Sequence, residues 1–503
     1  MMHTFFNRSV TRLRRVLSSG VLVWVAACGC GLFLGASAGP EPTEEKWIPP
    51  FYMEDRNAQT GDLERVSMFG PLMEQSFVEP RTWATFRPFS INIQDESKNE
   101  REGHFLYPFY NDYQKPNNHR WDIAGVIRYS QTRSPDPGGT PITHFSIFPI
   151  YHYKNTGDPN TSYRGLFPVA GSSKGFMGYK EISWWWFPLY ARFDRWGESR
   201  VCMPWPFVQW MEGEGCSGGA LWPLMGQFKR EGRYNRQYML WPLIYDYKEH
   251  LDRPNITHKQ GFLPFYSMVD SENVESRTWV WPFFGYTHQT NPFYNESRYF
   301  WPFFVQGRGA VDYVNRWAPF YTHSIHRGKS KKWVMWPFLR TRSWDEKGVH
   351  IEEGQVFYFL IWAQKQWSLA NPSAPPAQKS LVWPFISYWD NGAGRKQVQI
   401  VNPLEVFFLG NEIVRKVYTP LFALYRYDQL EPGHVKQTLL FNTIVWEKKP
   451  EVSRLALGPI VEFRSGKTEE ETSGEIRLLL GAITLANYNG KKALKLFGKT
   501  ILR

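Results

Sequence analysis

Three groups of residues in this chain have types and spacings that could do chemistry. Cys202 and Cys216 bracket one short segment. In an oxidising compartment two such thiols can pair, provided adjacent turns bring them together. Gly213-Glu214-Gly215-Cys216-Ser217-Gly218 has the glycine spacing of a dinucleotide-binding turn. That turn works by aiming backbone N–H groups and a following helix N-terminus at a pyrophosphate. No helical pattern follows here, so the expectation is an inter-strand loop and no cofactor. His323 and His326, with the pair Glu352 and Glu353 downstream, offer metal-type donors. A metal needs three or four converging ligands at a recognisable spacing, so the expectation is solvated turn residues and no metal.

No Gly-x-Ser-x-Gly elbow and no His-Glu-x-x-His pair occurs. No particular carboxylate pair is nominated for glycoside hydrolysis. A non-catalytic protein is therefore expected, with a carbohydrate-active enzyme as the remote alternative. The tripeptides beginning at Asn160, Asn255 and Asn295 fit glycan acceptors, which matter only in a eukaryotic secretory setting.

The elements that must position these residues are announced by a repeat. Trp205-Pro206-Phe207, Trp222-Pro223-Leu224, Trp241-Pro242-Leu243, Trp281-Pro282-Phe283, Trp301-Pro302-Phe303, Trp336-Pro337-Phe338 and Trp383-Pro384-Phe385 are copies of one phrase. Tyr107-Pro108-Phe109 and Phe187-Pro188-Leu189 are looser copies. Between Pro149 and Pro337 successive prolines of this kind stand 17 to 22 residues apart. A regular period means one structural unit copied many times. Proline-free copies surround Val126, Phe357, Leu440 and Leu479, and the whole gives about 22 units of about 19 residues.

Each unit runs from a polar lead through an apolar run to a Gly, Asn, Asp or Lys cluster, and 17% of the chain is aromatic. Aromatic residues suit a pleated surface, while Gly and Pro punctuate it. The fold expected is all-β: an antiparallel array of about 22 extended segments, one per unit, closed into a barrel or forming a β shell or solenoid. The recurring proline conflicts with a plain strand, because it has no N–H for a ladder. It predicts a repeated bulge or bend where two shorter strands meet. Placed at the centre of apolar runs, Trp301 and Phe303 are expected to pack inside.

The N-terminus has the pattern of an export signal. Arg8, Arg12, Arg14 and Arg15 precede an uncharged apolar stretch from Val16 to Leu34, and Ala36-Ser37-Ala38 is a small-residue cleavage pattern. Residues 1–38 are read as a signal peptide, with a retained membrane anchor or a lipoprotein signal at Cys28 as alternatives. Residues 39–66 are expected to be a polar linker and residues 67–503 the repeat body. Removing residues 1–38 takes away four of the 59 Lys and Arg and none of the acids, leaving a formal charge of +8.

Export and a modest basic surplus favour anionic surfaces. Expected partners are membrane lipid or lipopolysaccharide, or a polysaccharide or envelope protein. Nucleic acid is disfavoured, since export removes the chain from it and no basic stripe is evident. The leading expectation is an outer-membrane barrel with a structural, docking or passage role. A soluble β-repeat shell in the periplasm or outside the cell is the alternative.

Overall fold

The computed structural model describes residues 46–57, 61–134, 138–467 and 472–502. Residues 1–38, read above as an export signal, and Cys28 within them lie outside the described residues. Lys46–Arg56 and Asp62–Arg503 form one compact unit.

That unit is all-β. It contains 46 strands among the described residues, in a single sheet in which each strand pairs antiparallel with its sequence neighbours. Each repeat contributes two strands, not one. In a representative unit, Val274–Trp279 pairs with Phe284–Gln289, Trp279 opposite Phe284, and Phe284–Gln289 pairs in turn with Tyr294–Phe300.

The apolar phrase expected to be a strand centre is the reversal between two strands. The residues that alternate across the sheet are the mixed polar segments on either side, such as Val274-Glu275-Ser276-Arg277-Thr278-Trp279. Proline accounts for the difference, since a residue without an N–H fits a turn far better than a ladder. In Val280-Trp281-Pro282-Phe283 the Phe283 N–H donates to the Val280 carbonyl at 2.9 Å, and the Trp281–Pro282 peptide is cis. This is the four-residue reversal with cis-proline at its third position. The same i→i+3 bond closes the turns at Phe109, Leu189, Leu243, Phe303, Phe338 and Phe385. Where the proline is absent, successive residues take positive φ instead: Phe357 and Tyr358, Leu440 and Phe441, Leu479 and Leu480. Paired left-handed residues are the other way to make a tight hairpin.

Because every repeat holds two strands, all these apolar turns fall on one edge of the sheet. The polar connections, among them Arg327-Gly328 and Lys347-Gly348 with both residues at positive φ, fall on the other. The sheet is not closed into a barrel. Its first strand, Trp47–Ile48, pairs with Tyr52–Arg56 alone, and its last, Lys499–Leu502, pairs with Lys491–Leu496 alone.

Of the expected linker at 39–66, residues 39–45 and 58–60 lie outside the described residues, and the rest includes strands. Trp47–Ile48, Tyr52–Arg56 and Leu63–Met68 are the first three strands, and Trp47 and Met53 are buried. Their cover comes from far along the chain: Trp47 and Met53 cluster with Val445 and Ala456, and Arg454 stacks over the Trp47 ring at 4.3 Å. Asp55 pairs with Lys436.

Next to this contact, an irregular insert at 401–424 stands where a four-residue turn would otherwise join Lys396–Ile400 to Tyr425–Glu431. The insert carries one α-helical turn and a half, Glu412–Val417, capped by the Asn411 side chain, which accepts from the Val414 N–H. Ile413 and Val417 pack on Ile91 and Ile93, while Val406 packs on Trp362 and Leu381. The buried clusters thus form where the opening strands and the insert meet strands distant in sequence.

Candidate functional site

The apolar turns make a continuous edge. Each is hydrogen-bonded to the turn before it: Trp281 N–H donates to the Pro264 carbonyl at 2.6 Å, Trp301 N–H to Phe283 at 2.8 Å and Trp336 N–H to Pro319 at 2.7 Å. In some turns, such as those at Pro264 and Pro319, the proline that cannot donate accepts. Rings meet from turn to turn in the same sense, with centroids 5.2 Å apart for Phe187 and Trp205, 6.0 Å for Trp222 and Trp241, and 5.0 Å for Phe283 and Phe300. Such offset and tilted pairs add to the burial of each ring.

The outer surfaces of these rings are uncovered. Trp301 and Phe303 are each 42% exposed, which overturns the expectation that they pack inside. Trp336 and Phe385 are more open still. Large exposed apolar side chains recur at the reversals from Phe51 to Phe497. Soluble monomers seldom expose contiguous apolar patches of more than a few hundred Å², which makes this edge the candidate site.

One face of the sheet is crowded just below this edge. A single row of directly paired residues runs along it, one per strand: in its central part Ala220, Gly226, Tyr238, Tyr245, Gly261, Ser267, Thr278, Gly285, Arg298 and Val305. Small residues on it leave room for the rings beside them. A Cβ on Gly261 would lie 2.2 Å from the Tyr245 ring.

The residues singled out in the sequence do not converge. Cys202 ends the strand Glu198–Cys202 at the apolar edge, whereas Cys216 begins Cys216–Leu221 at the polar edge. Register puts Cys202 beside Gln209 and Gln209 beside Ala220, four residues along the strand from Cys216. Both are free thiols, so the expected disulfide is not made. Burial pushes the Cys202 thiol up to about 11.

The glycines at 213, 215 and 218 sit at positive φ, and at Gly213 and Gly218 backbone approaches backbone. A Cβ on Gly213 would lie 2.7 Å from the Gly197 carbonyl oxygen, and no helix follows. His326 pairs with Asp312, while His323 contacts Ser330. Glu352 and Glu353 alternate along one strand and so occupy opposite faces, Glu352 beside His350 and Glu353 beneath Arg342. No group of three or more His, Cys, Asp or Glu among the described residues could hold a metal ion.

Sequence reasoning missed the edge as a site because it placed the aromatic phrases within strands. The signal that marks it is the proline itself, at a fixed place in every phrase. No protein-family model and no curated protein matches this chain.

Proposed function

We propose that this chain is a non-catalytic β-repeat protein of the cell envelope that seats its aromatic edge in the interfacial layer of a membrane. The observation that carries this reading is the unbroken edge of exposed Trp, Phe, Leu and Met side chains, turn after turn, with rings such as Trp281, Trp301 and Trp336 recurring along it. Aromatic side chains with a polar N–H favour the membrane–water interface, where one end is apolar and the other wet. An edge that spans the whole sheet is too long to be filled by a pocket-sized ligand, and a lipid layer covers it at every turn alike.

Docking by the edge fits these strands better than crossing does. A six-residue strand such as Phe284–Gln289 rises about 20 Å, short of the nine to eleven residues a spanning strand needs. Charges also lie on both faces, Glu275 and Arg277 on one and Arg298 on the other, whereas a spanning strand keeps its lipid face apolar. No helix among the described residues is long and apolar enough to cross a membrane.

The test is tryptophan quenching by vesicles of brominated phosphatidylcholine, using the full chain. The expected result is strong quenching that falls in a Phe303→Ser/Met335→Ser/Phe338→Ser variant, which keeps every tryptophan and the N-terminal segment. Unquenched fluorescence in a folded chain, with equal behaviour of the variant, would overturn the reading and leave the soluble shell, whose turns bind polysaccharide or protein, in its place.

A further inference from the structure

Four cations gather on the crowded face immediately below the aromatic edge. Arg316, Lys331, Arg340 and Arg342 lie on the neighbouring strands Tyr313–Trp317, Lys329–Val334 and Leu339–Glu346, the first separated from the others by Tyr321–His326. Register puts Lys331 beside Arg342 and Trp333 beside Arg340, with Arg316 joined to Trp333 through Thr322. All therefore share one face.

Among the described residues, one carboxylate, Glu353, forms ion pairs with this group. Glu353 accepts from Arg342 at 2.6 and 2.7 Å and from Gln355 at 2.8 Å, and lies 3.5 Å from Arg340. Its one negative charge is thus set against two guanidiniums at once. Lys331 rests against the Trp333 ring at 5.4 Å, and Arg316 reaches the Pro302 carbonyl at 3.4 Å. The Nε groups of Arg340 and Arg342 are buried without a hydrogen-bond partner. Desolvation lowers the Lys331 pKa, and Arg340, Arg342 and Arg316 push it the same way. The group repels itself, and a bound anion would relieve it.

Position selects the anion. Arg340 follows the edge residue Leu339 directly, and Lys331 stands three residues before the turn at Val334-Met335, so the cations sit about 3 to 13 Å from the edge. The headgroup layer on each side of a bilayer is about 5 to 8 Å thick. With the edge in lipid, these cations stand at the level of the phosphates. Arg supplies a fork that matches phosphate oxygens and Lys a point charge, while Trp333 and Tyr358 give the site an aromatic wall, with Arg340 stacked on both.

We infer that Arg316, Lys331, Arg340 and Arg342 form a binding site for the phosphate of an anionic glycerophospholipid, held beneath the membrane-seated edge. This rests on the edge-docking reading above, and the experiment separates the two. Binding of the full chain is measured to phosphatidylcholine vesicles with and without phosphatidylglycerol. Phosphatidylglycerol should strengthen binding by about tenfold or more, as expected for cations near a charged surface. The Arg316→Gln/Lys331→Gln variant, which removes no partner of Glu353, should lose most of that gain and keep its binding to phosphatidylcholine. An Arg233→Gln/Lys248→Gln variant, equal in charge but altered at the polar edge, should keep the gain.

Equal binding of the wild-type chain to both vesicles would overturn the site and leave the edge reading standing. So would equal losses in the two variants. Failure of the wild-type chain to bind either vesicle would overturn the edge reading. Saturable binding of inorganic phosphate in that case, lost in Arg316→Gln/Lys331→Gln, would overturn the lipid assignment in favour of a free phosphate ester.

Discussion

The Arg87 side chain donates through Nε to the main-chain carbonyl of Lys416 at 2.6 Å, joining positions 329 residues apart. The same guanidinium donates to Glu74 at 2.5 Å and to the Pro71 carbonyl at 2.7 Å, and it is almost wholly buried. Around it, Arg81 meets Glu412 at 2.8 Å and Tyr418 donates to the Tyr107 carbonyl at 2.6 Å. These bonds fasten the insert at 401–424 to the opening strands.

Arg87→Met should therefore cost about 3 to 5 kcal/mol, because it removes the nearest partner of Glu74, leaving Arg65 at 3.5 Å, and takes the donor from the Lys416 and Pro71 carbonyls. Adding Glu74→Gln should recover part of the loss. Chemical denaturation of the two single variants and the double variant checks this, and additive losses would show that the pair is not coupled.

Acid should release the same contact. Burial pushes the Glu74 carboxyl up, but Arg87 and Arg65, with Arg426, outweigh it and hold the carboxyl at about 2, below its ordinary 4.5. A folded-state pKa below the unfolded one gives stability that is complete above the unfolded value and is lost as pH falls toward the folded one. The melting temperature should fall between pH 4.5 and 2, and the gap between wild type and Glu74→Gln should narrow across that window. A constant gap would exclude Glu74 as the source.

Two tryptophans should behave in opposite ways. Trp362 is 4% exposed and packs with Leu381 and Val406, so Trp362→Ala should cost about 3 to 5 kcal/mol. Trp301 stands on the open edge, and Trp301→Ala should change stability by no more than about 1 kcal/mol while weakening vesicle binding. Thermal melts paired with vesicle flotation separate the two effects.

The cysteines should react singly. Mass analysis of unreduced protein should find Cys202 and Cys216 both as thiols, and a maleimide near neutral pH should modify Cys216 well before Cys202, whose thiol is buried and pushed up to about 11. A peptide carrying both residues in disulfide linkage would contradict the observed register.

Much of the fold was legible from residue order. The period and the all-β, antiparallel character follow from Trp-Pro-Phe phrases set between polar clusters, and the bend expected at each proline is present as a full reversal. The strand count was not legible, because the phrase Tyr299-Phe300-Trp301-Pro302-Phe303-Phe304 has the composition of a buried strand. Hydrophobic runs ordinarily mark what is buried, and here they mark an edge left open. The cation site lay deeper still. Lys331 and Arg342 become neighbours only through a register that the turn at Trp336-Pro337 sets. The role of residues 401–424 rests on contacts with Trp83, Ile91 and Tyr107, hundreds of positions away.

Alternation of the two kinds of turn imposes a parity rule on the chain. Losing or gaining one strand would send every later aromatic reversal to the polar side, so that half the edge would face away from the other half. Losing or gaining a complete hairpin would only shorten or lengthen the edge. The insert at 401–424 obeys the rule, since it enters and leaves on the aromatic side. Length in this architecture can change only in steps of two strands, and the reach of the edge along a surface is set by how many steps the sequence contains.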